Sequence, residues 1–113
     1  MPLRTFSQAM TANGTYEPLS GWQYEYLPYP AMVEMAFNAS AANQVVATVT
    51  SGSDTLAEEG PVTGGGTAGV LPDFVKPQLE DLAQAGDRLK IRFRETAGVT
   101  PTVNGWVRIT PLA

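Results

Sequence analysis

The chain has 113 residues, a mass of 12.0 kDa and a formal net charge of −4, the size of one domain. Apolar residues make up 43% and charged residues 16%, enough to build a core without staples. Cysteine and histidine are both absent, which excludes disulfides, thiolate nucleophiles, Cys-ligated metals and the side chain best suited to proton transfer near neutral pH, while the acidic balance argues against non-specific nucleic-acid binding.

Residues 1–20 show no clear period, and Asn13-Gly14 is a turn pair. They are expected as an N-terminal arm or edge segment, followed by a β-sandwich domain over residues 21–113. No long apolar run follows Arg4, so no secretory signal is expected. No stretch approaches the roughly 20 apolar residues of a membrane-spanning helix.

Trp22, Tyr24 and Tyr26 alternate with Gln23, Glu25 and Leu27, which predicts a strand with an aromatic face. Pro28 and Pro30 close it, because proline donates nothing to a ladder. Over 31–38, Ala31, Val33, Met35 and Phe37 alternate with Met32, Glu34, Ala36 and Asn38. Over 44–50, Val45, Ala47 and Val49 alternate with Gln44, Val46, Thr48 and Thr50. Ser51-Gly52-Ser53-Asp54 reads as a turn, and 55–59 as a short strand. Together these predict a meander of three antiparallel strands.

Residues 60–71 contain Gly64-Gly65-Gly66 and Gly69 and are expected as a long glycine-rich loop. The stretch 77–84 is the helical candidate. Pro77 suits a first turn, Leu79, Leu82 and Ala83 share a helical face, and Gly86 suits the left-handed residue beyond its end. Two turns of helix need packing to persist. In 88–94, Leu89, Ile91 and Phe93 alternate with Arg88, Lys90, Arg92 and Arg94, a half-buried strand with four cations outward. After a loop over 95–101, Val103, Gly105, Val107 and Ile109 share a parity in a strand ending at Pro111. These two strands are expected to pair as a hairpin.

Chemistry-bearing groups are few. Nucleophilic catalysis needs a base beside a Ser, Thr or Lys, and only Lys76 and Lys90 are present as lysines. Glu58-Glu59 and Glu80-Asp81 are adjacent, so on a regular element the members of each pair diverge and do not make the facing carboxylates of a glycosidase. Asp54, Asp73 and Asp87 could join a calcium site, yet no EF-hand spacing supports one. The glycine triplet lacks the lysine and hydroxyl of a phosphate-binding loop. No catalytic, cofactor or metal site is expected.

The residues left for a binding surface are Arg88, Lys90, Arg92 and Arg94 with Trp106 nearby, and the aromatics Trp22, Tyr24 and Tyr26. The cations serve either to grip an acidic or phosphate-bearing partner or to guard an edge strand. They can also meet the acidic run Asp54, Glu58, Glu59, Asp73, Glu80 and Asp81, in the same chain or in a neighbouring copy. The aromatics are either core or stacking platforms for sugars and interfaces.

The run Ala85-Gly86-Asp87-Arg88-Leu89-Lys90-Ile91-Arg92-Phe93-Arg94, its small-residue loop, and Val103 to Ile109 with Pro111-Leu112 resemble the closing hairpin of small all-β bacteriophage virion proteins. The Val-rich strand and the Ser51-Gly52-Ser53-Asp54 turn agree with that style over residues 31–113. The resemblance implies an all-β, single antiparallel β-sandwich of jelly-roll type, here with one short helix and an extended N-terminal arm. It implies a non-enzymatic capsid decoration, cement or minor capsid protein in the virion, assembled in the host cytoplasm. Its partners would be itself, as a trimer or larger, and a major capsid or other virion protein, without membrane or specific nucleic acid. A carbohydrate- or receptor-binding module of a spike or tail is the alternative.

Overall fold

A computed structural model describes residues 3–41, 44–62, 64, 72 and 77–112. Within them the chain forms eight strands and no helix: β1 (Leu3–Ala9), β2 (Thr15–Tyr16), β3 (Ala31–Ala39), β4 (Val45–Ser51), β5 (Asp54–Pro61), β6 (Leu79–Ala83), β7 (Leu89–Glu95) and β8 (Thr102–Pro111). They make two antiparallel four-stranded sheets, ordered β1-β8-β3-β6 and β2-β7-β4-β5. The pairing is nested: β1 lies beside β8, β2 beside β7, β3 beside β6 and β4 beside β5. Two further pairings, β3 with β8 and β4 with β7, complete the sheets.

The two sheets stack through the side chains that alternation turns inward. Val33, Met35 and Phe37 of β3 and Val103, Val107 and Ile109 of β8 meet Val45, Ala47 and Val49 of β4 and Leu89, Ile91 and Phe93 of β7 in one buried cluster. Phe93 ties the layers together, with ring centroids 5.2 Å from Phe37 and 5.7 Å from Phe6. Edge-on and tilted contacts of this kind add to the stabilisation from burial alone. The segments 31–38, 44–50, 88–94 and 102–110 fall on strands β3, β4, β7 and β8, and the cations of 88–94 lie on the outer side as expected.

Strand partners differ from the expected ones. β3 and β4 belong to different sheets, so the meander does not exist; only β4 and β5 form a hairpin. β7 and β8 also lie in different sheets, and the closing hairpin is instead a crossover between layers. The reason is shared. Each strand carries one apolar face, and facing that side across the roughly 10 Å between sheets buries it as well as lying alongside does. The five residues between β3 and β4, and the six between β7 and β8, are long enough for that step at about 3.3 Å each.

The expected helix at 77–84 is strand β6. Its Leu79, Asp81 and Ala83 stand opposite Met35, Val33 and Ala31 of β3. A two-turn helix would leave most of its terminal backbone groups unpaired, whereas β3 offers a complete ladder. Gly86 does take the left-handed conformation, with φ of 89°. It does so in a turn closed by Asp87 N–H to Gln84 O, 3.1 Å.

The aromatic strand at 22–27 is likewise replaced by consecutive turns. Trp22 N–H donates to Leu19 O (3.1 Å) and Glu25 N–H to Trp22 O (2.9 Å). Only Tyr26 makes a bridge, to Arg88. Leu27 and Glu25 turn inward, and Tyr26 outward. Of the segment 1–20, residues 3–9 form β1 at the edge of the first sheet and Thr15–Tyr16 form β2 beside β7. Of the expected loop 60–71, Gly60 and Pro61 belong to β5 and Val62 is buried; residues 63 and 65–71 lie outside the described residues.

Candidate functional site

Alternation along β7 sends Arg88, Lys90, Arg92 and Arg94 to the outer face of the second sheet. β7 lies between β2 and β4 in its sheet, with β2 pairing only with Phe93 and Arg94. Three of the four cations are neutralised within the chain. Arg88 forks onto Glu25, with Nη2 2.7 Å and Nε 2.8 Å from Oε2. Lys90 Nζ lies 3.4 Å from Glu17 Oε1, and Arg94 is paired with Glu59. Arg92 is exposed and has no ion-pair partner among the described residues.

Glu25 is the best-held acid of this face. Its Oε1 accepts Gly21 N–H at 3.1 Å while Oε2 accepts Arg88. The Arg88 hydrogen bond, then that of Gly21, hold the Glu25 carboxyl below its ordinary value; the same bond raises the Arg88 guanidinium. Tyr26 lies under the Arg88 guanidinium, 5.7 Å from ring centroid to Cζ. Beyond, Arg92 and Arg94 line a shallow cleft of about 170 Å³ with Val46, Thr48 and Glu59. With a carboxylate inside it, the cleft is a poor phosphate cradle.

The structure thus divides the predicted surface among separate places. Trp22 and Tyr24 are half-buried against the core, edge to face at 5.4 Å, with Tyr29 behind Tyr24 at 6.5 Å. Tyr26 alone of that group is open, at 58% exposure. Trp106 is on the other sheet and wholly covered, at 0% exposure. Its Nε1–H donates to Pro72 O at 3.2 Å, and Arg108 lies over its ring at 5.0 Å. It is therefore not a neighbour of the β7 cations.

Two polar devices had no local signal in the sequence. Glu95, at the end of β7, is buried, and its carboxylate accepts the backbone N–H groups of Asn13 (2.8 Å), Ala97 (2.7 Å) and Gly98 (2.7 Å). Burial pushes this carboxyl up, but those bonds, with a further one from Val99, hold it below its ordinary value. Glu95 thereby pins the β7–β8 crossover to the Asn13 turn. On the outer face of the first sheet, buried Asn104 accepts from Ser7 Oγ (2.7 Å) and donates to Asn38 Oδ1 (3.0 Å), joining β1, β8 and β3. Arg108 and Glu34 pair beside them at 3.2 Å.

Among the described residues, Glu17, Glu25 and Glu34 from the first third of the chain and Glu59 from the acidic middle pair with the C-terminal cations. Glu80 and Asp81 remain on edge strand β6 without an ion pair among the described residues. Beside them Met32 and Leu82 line an open groove of about 330 Å³. No protein-family model, curated protein or solved structure matches the chain.

Proposed function

We propose that the chain is a non-enzymatic virion structural protein, a capsid decoration, cement or minor capsid component whose sandwich is a jelly roll and which self-associates on a capsid lattice. The observation that carries this reading is the nested pairing of strands, first with last through fourth with fifth, split between two sheets. A long antiparallel hairpin rolled up in that way makes the double Greek key of a jelly roll, an architecture that recurs in viral capsids and lectins. The interior is filled by the side chains of both sheets, so function falls to the outside of the molecule. Stacking of sugars needs open rings, and here Trp106 is covered while Trp22 and Tyr24 lean on the core. That favours assembly over sugar binding. The partners are then further copies of the chain and a major capsid protein, meeting in the host cytoplasm and persisting in the virion.

The second reading, a carbohydrate- or receptor-binding module of a spike or tail, rests on Tyr26, the exposed ring beside Arg88. Light scattering on the purified chain, combined with a glycan array, separates the two. Assembly predicts a defined trimer or larger species and no glycan signal. A 12.0 kDa monomer over a wide concentration range would refute it, and glycan binding that Tyr26→Ala removes would favour the second reading.

A further inference from the structure

The two sheets treat their edges differently. In the second sheet, β2 is two residues long, and β5 is interrupted by register shifts against β4 with Glu59 at a φ of 47°. A very short strand and a bulged, acidic one are standard protections against edge pairing. The edges of the first sheet, β1 and β6, keep an unbroken register with their neighbours. Each carries one charge on its core-facing side. Arg4 shares the parity of buried Phe6, and Asp81 stands opposite buried Val33. The signs are opposite.

Backbone parity can be read from the bonds that continue the ladders. Met10 N–H donates to Pro101 O at 2.8 Å, in register with β1–β8. Alternate residues Arg4, Phe6 and Gln8 therefore turn their backbone groups to β8, and Leu3, Thr5 and Ser7 turn theirs outward. Likewise Leu112 N–H to Pro30 O (3.0 Å) and Ser40 N–H to Thr102 O (2.9 Å) continue the β3–β8 register. Ala31, Val33 and Met35 then face β6, whose Leu79, Asp81 and Ala83 face back, leaving Glu80 and Leu82 turned outward.

We infer that strand β1 of a second copy adds to the β6 edge, antiparallel, with Leu3 opposite Leu82, Arg4 opposite Asp81, Thr5 opposite Glu80 and Phe6 opposite Leu79. This rests on the self-association reading above and names the surface. The register sets outward-turned backbone against outward-turned backbone at both bonded pairs, Leu3–Leu82 and Thr5–Glu80. It brings the lone cation of β1 to Asp81. It also lays Leu3, 48% exposed, on Leu82, 60% exposed, beside the Met32 groove. Shifting by two residues in either direction keeps the parity but loses both the ion pair and the leucine contact. Two β6 edges together would instead gather carboxylates from both copies. Because the strands of the first sheet alternate in direction and are even in number, a copy in the same orientation presents β1 antiparallel to β6. The contact is head-to-tail, so it gives a ring where the rotation from copy to copy closes and an open filament where it does not.

The full chain has no cysteine, so single cysteines report the contact directly. Mixing a Thr5→Cys chain with a Glu80→Cys chain and a short bis-maleimide should give the mixed 5–80 product in preference to either like-with-like product. In sedimentation equilibrium, Arg4→Glu should raise the concentration at half-assembly about fivefold or more, and the exchange Arg4→Asp with Asp81→Arg should recover most of the loss. Thr5→Pro removes an outward N–H and no β1–β8 bond, so it should block assembly while the melting temperature shows the fold kept. If oligomers persist and the cross-links are only 5–5, only 80–80 or absent, this edge contact is wrong and the assembly reading stands. If the wild-type chain is monomeric throughout, both fall.

Discussion

Replacing Gly105 with alanine tests the close approach of β8 to β3. From local chemistry alone the change should help. A glycine in a strand costs backbone entropy, and alanine at a compatible site usually gains about 0.4–1 kcal/mol. The φ of Gly105 is not in the left-handed region, so backbone conformation does not forbid it. Packing does. A Cβ there would lie 2.5 Å from Phe6 Cζ, 2.7 Å from Ala36 O and 2.8 Å from Phe37 Cβ. The Phe6 ring tip can move, but Ala36 O belongs to β3, the strand paired with β8, and Phe37 Cβ is fixed by its own backbone. Relief requires β3 and β8 to shift apart where both sheets are clamped by the Phe37–Phe93 contact. Overpacking of this kind costs about 1–3 kcal/mol, and the backbone contact places Gly105→Ala near the upper end. With an unfolding entropy near 2.1 cal/mol/K per residue, a chain this long loses about 4 °C per kcal/mol. The expected drop in melting temperature is therefore about 8–12 °C, with a matching fall in urea midpoint at unchanged m-value. Phe6→Leu in the same chain should recover only part of it, because the Ala36 contact remains. A Gly105→Ala chain as stable as wild type, or more stable, would refute the close approach of β8 to β3.

Other outcomes follow from the same geometry. Trp106→Ala should cost about 3–5 kcal/mol by urea denaturation, with Trp106→Phe losing less, since an aromatic ring still fills most of the site while the bond to Pro72 O is lost. Asn104→Ala should be more damaging than its small size suggests, about 1–3 kcal/mol, because it removes the buried amide that links Ser7 of β1 to Asn38 of β3. In acid, Glu25 and Glu95 both have folded pKa values below the ordinary 4.5. Their contribution is complete above that value and is lost as pH falls through the depressed folded pKa, so urea midpoints should be flat from pH 7 to about 5 and decline below. Glu95→Gln should lower the neutral-pH plateau and flatten that acid limb; an unchanged limb would contradict its role. Arg92→Ala should leave stability within about 0.5 kcal/mol, in contrast to Arg88→Ala, which removes the guanidinium from inward-turned Glu25.

Much of the strand content is legible in residue order. Leu89-Lys90-Ile91-Arg92-Phe93-Arg94 alternates so strictly that only a half-buried strand accommodates it, and the structure has β7 there. The stretch 79–83 is ambiguous for a physical reason. Leu79, Leu82 and Ala83 satisfy a helical period, while Leu79 and Ala83 also satisfy a period of two. The free edge of β3 decides between them by offering backbone partners that no window of sequence contains. The aromatic triplet misleads in another way. Trp22, Tyr24 and Tyr26 alternate, but Glu25 and Leu27 take the inner positions, because Glu25 finds Gly21 and Arg88 to satisfy its carboxylate.

The candidate surface was legible only as a list of side chains. That Arg88, Lys90, Arg92 and Arg94 share a face follows from period-two geometry, but their partners Glu25, Glu17 and Glu59 lie 63, 73 and 35 residues away in sequence. Glu95 carried no signal at all, since its ligands are backbone groups.

Residue order settled that 31–38, 44–50, 88–94 and 102–110 alternate, because side-chain direction in a strand is a local matter of two-residue repeat, while 79–83 fits a helical period as well. Pairing was left to the folded chain. An apolar strand face is equally content beside a neighbour or across from one, and only the simultaneous burial of all eight strands sends β4 away from β3 and β8 away from β7. The straight, oppositely charged edges at Arg4 and Asp81 exist for the same reason: they are edges only once every other strand has found its place.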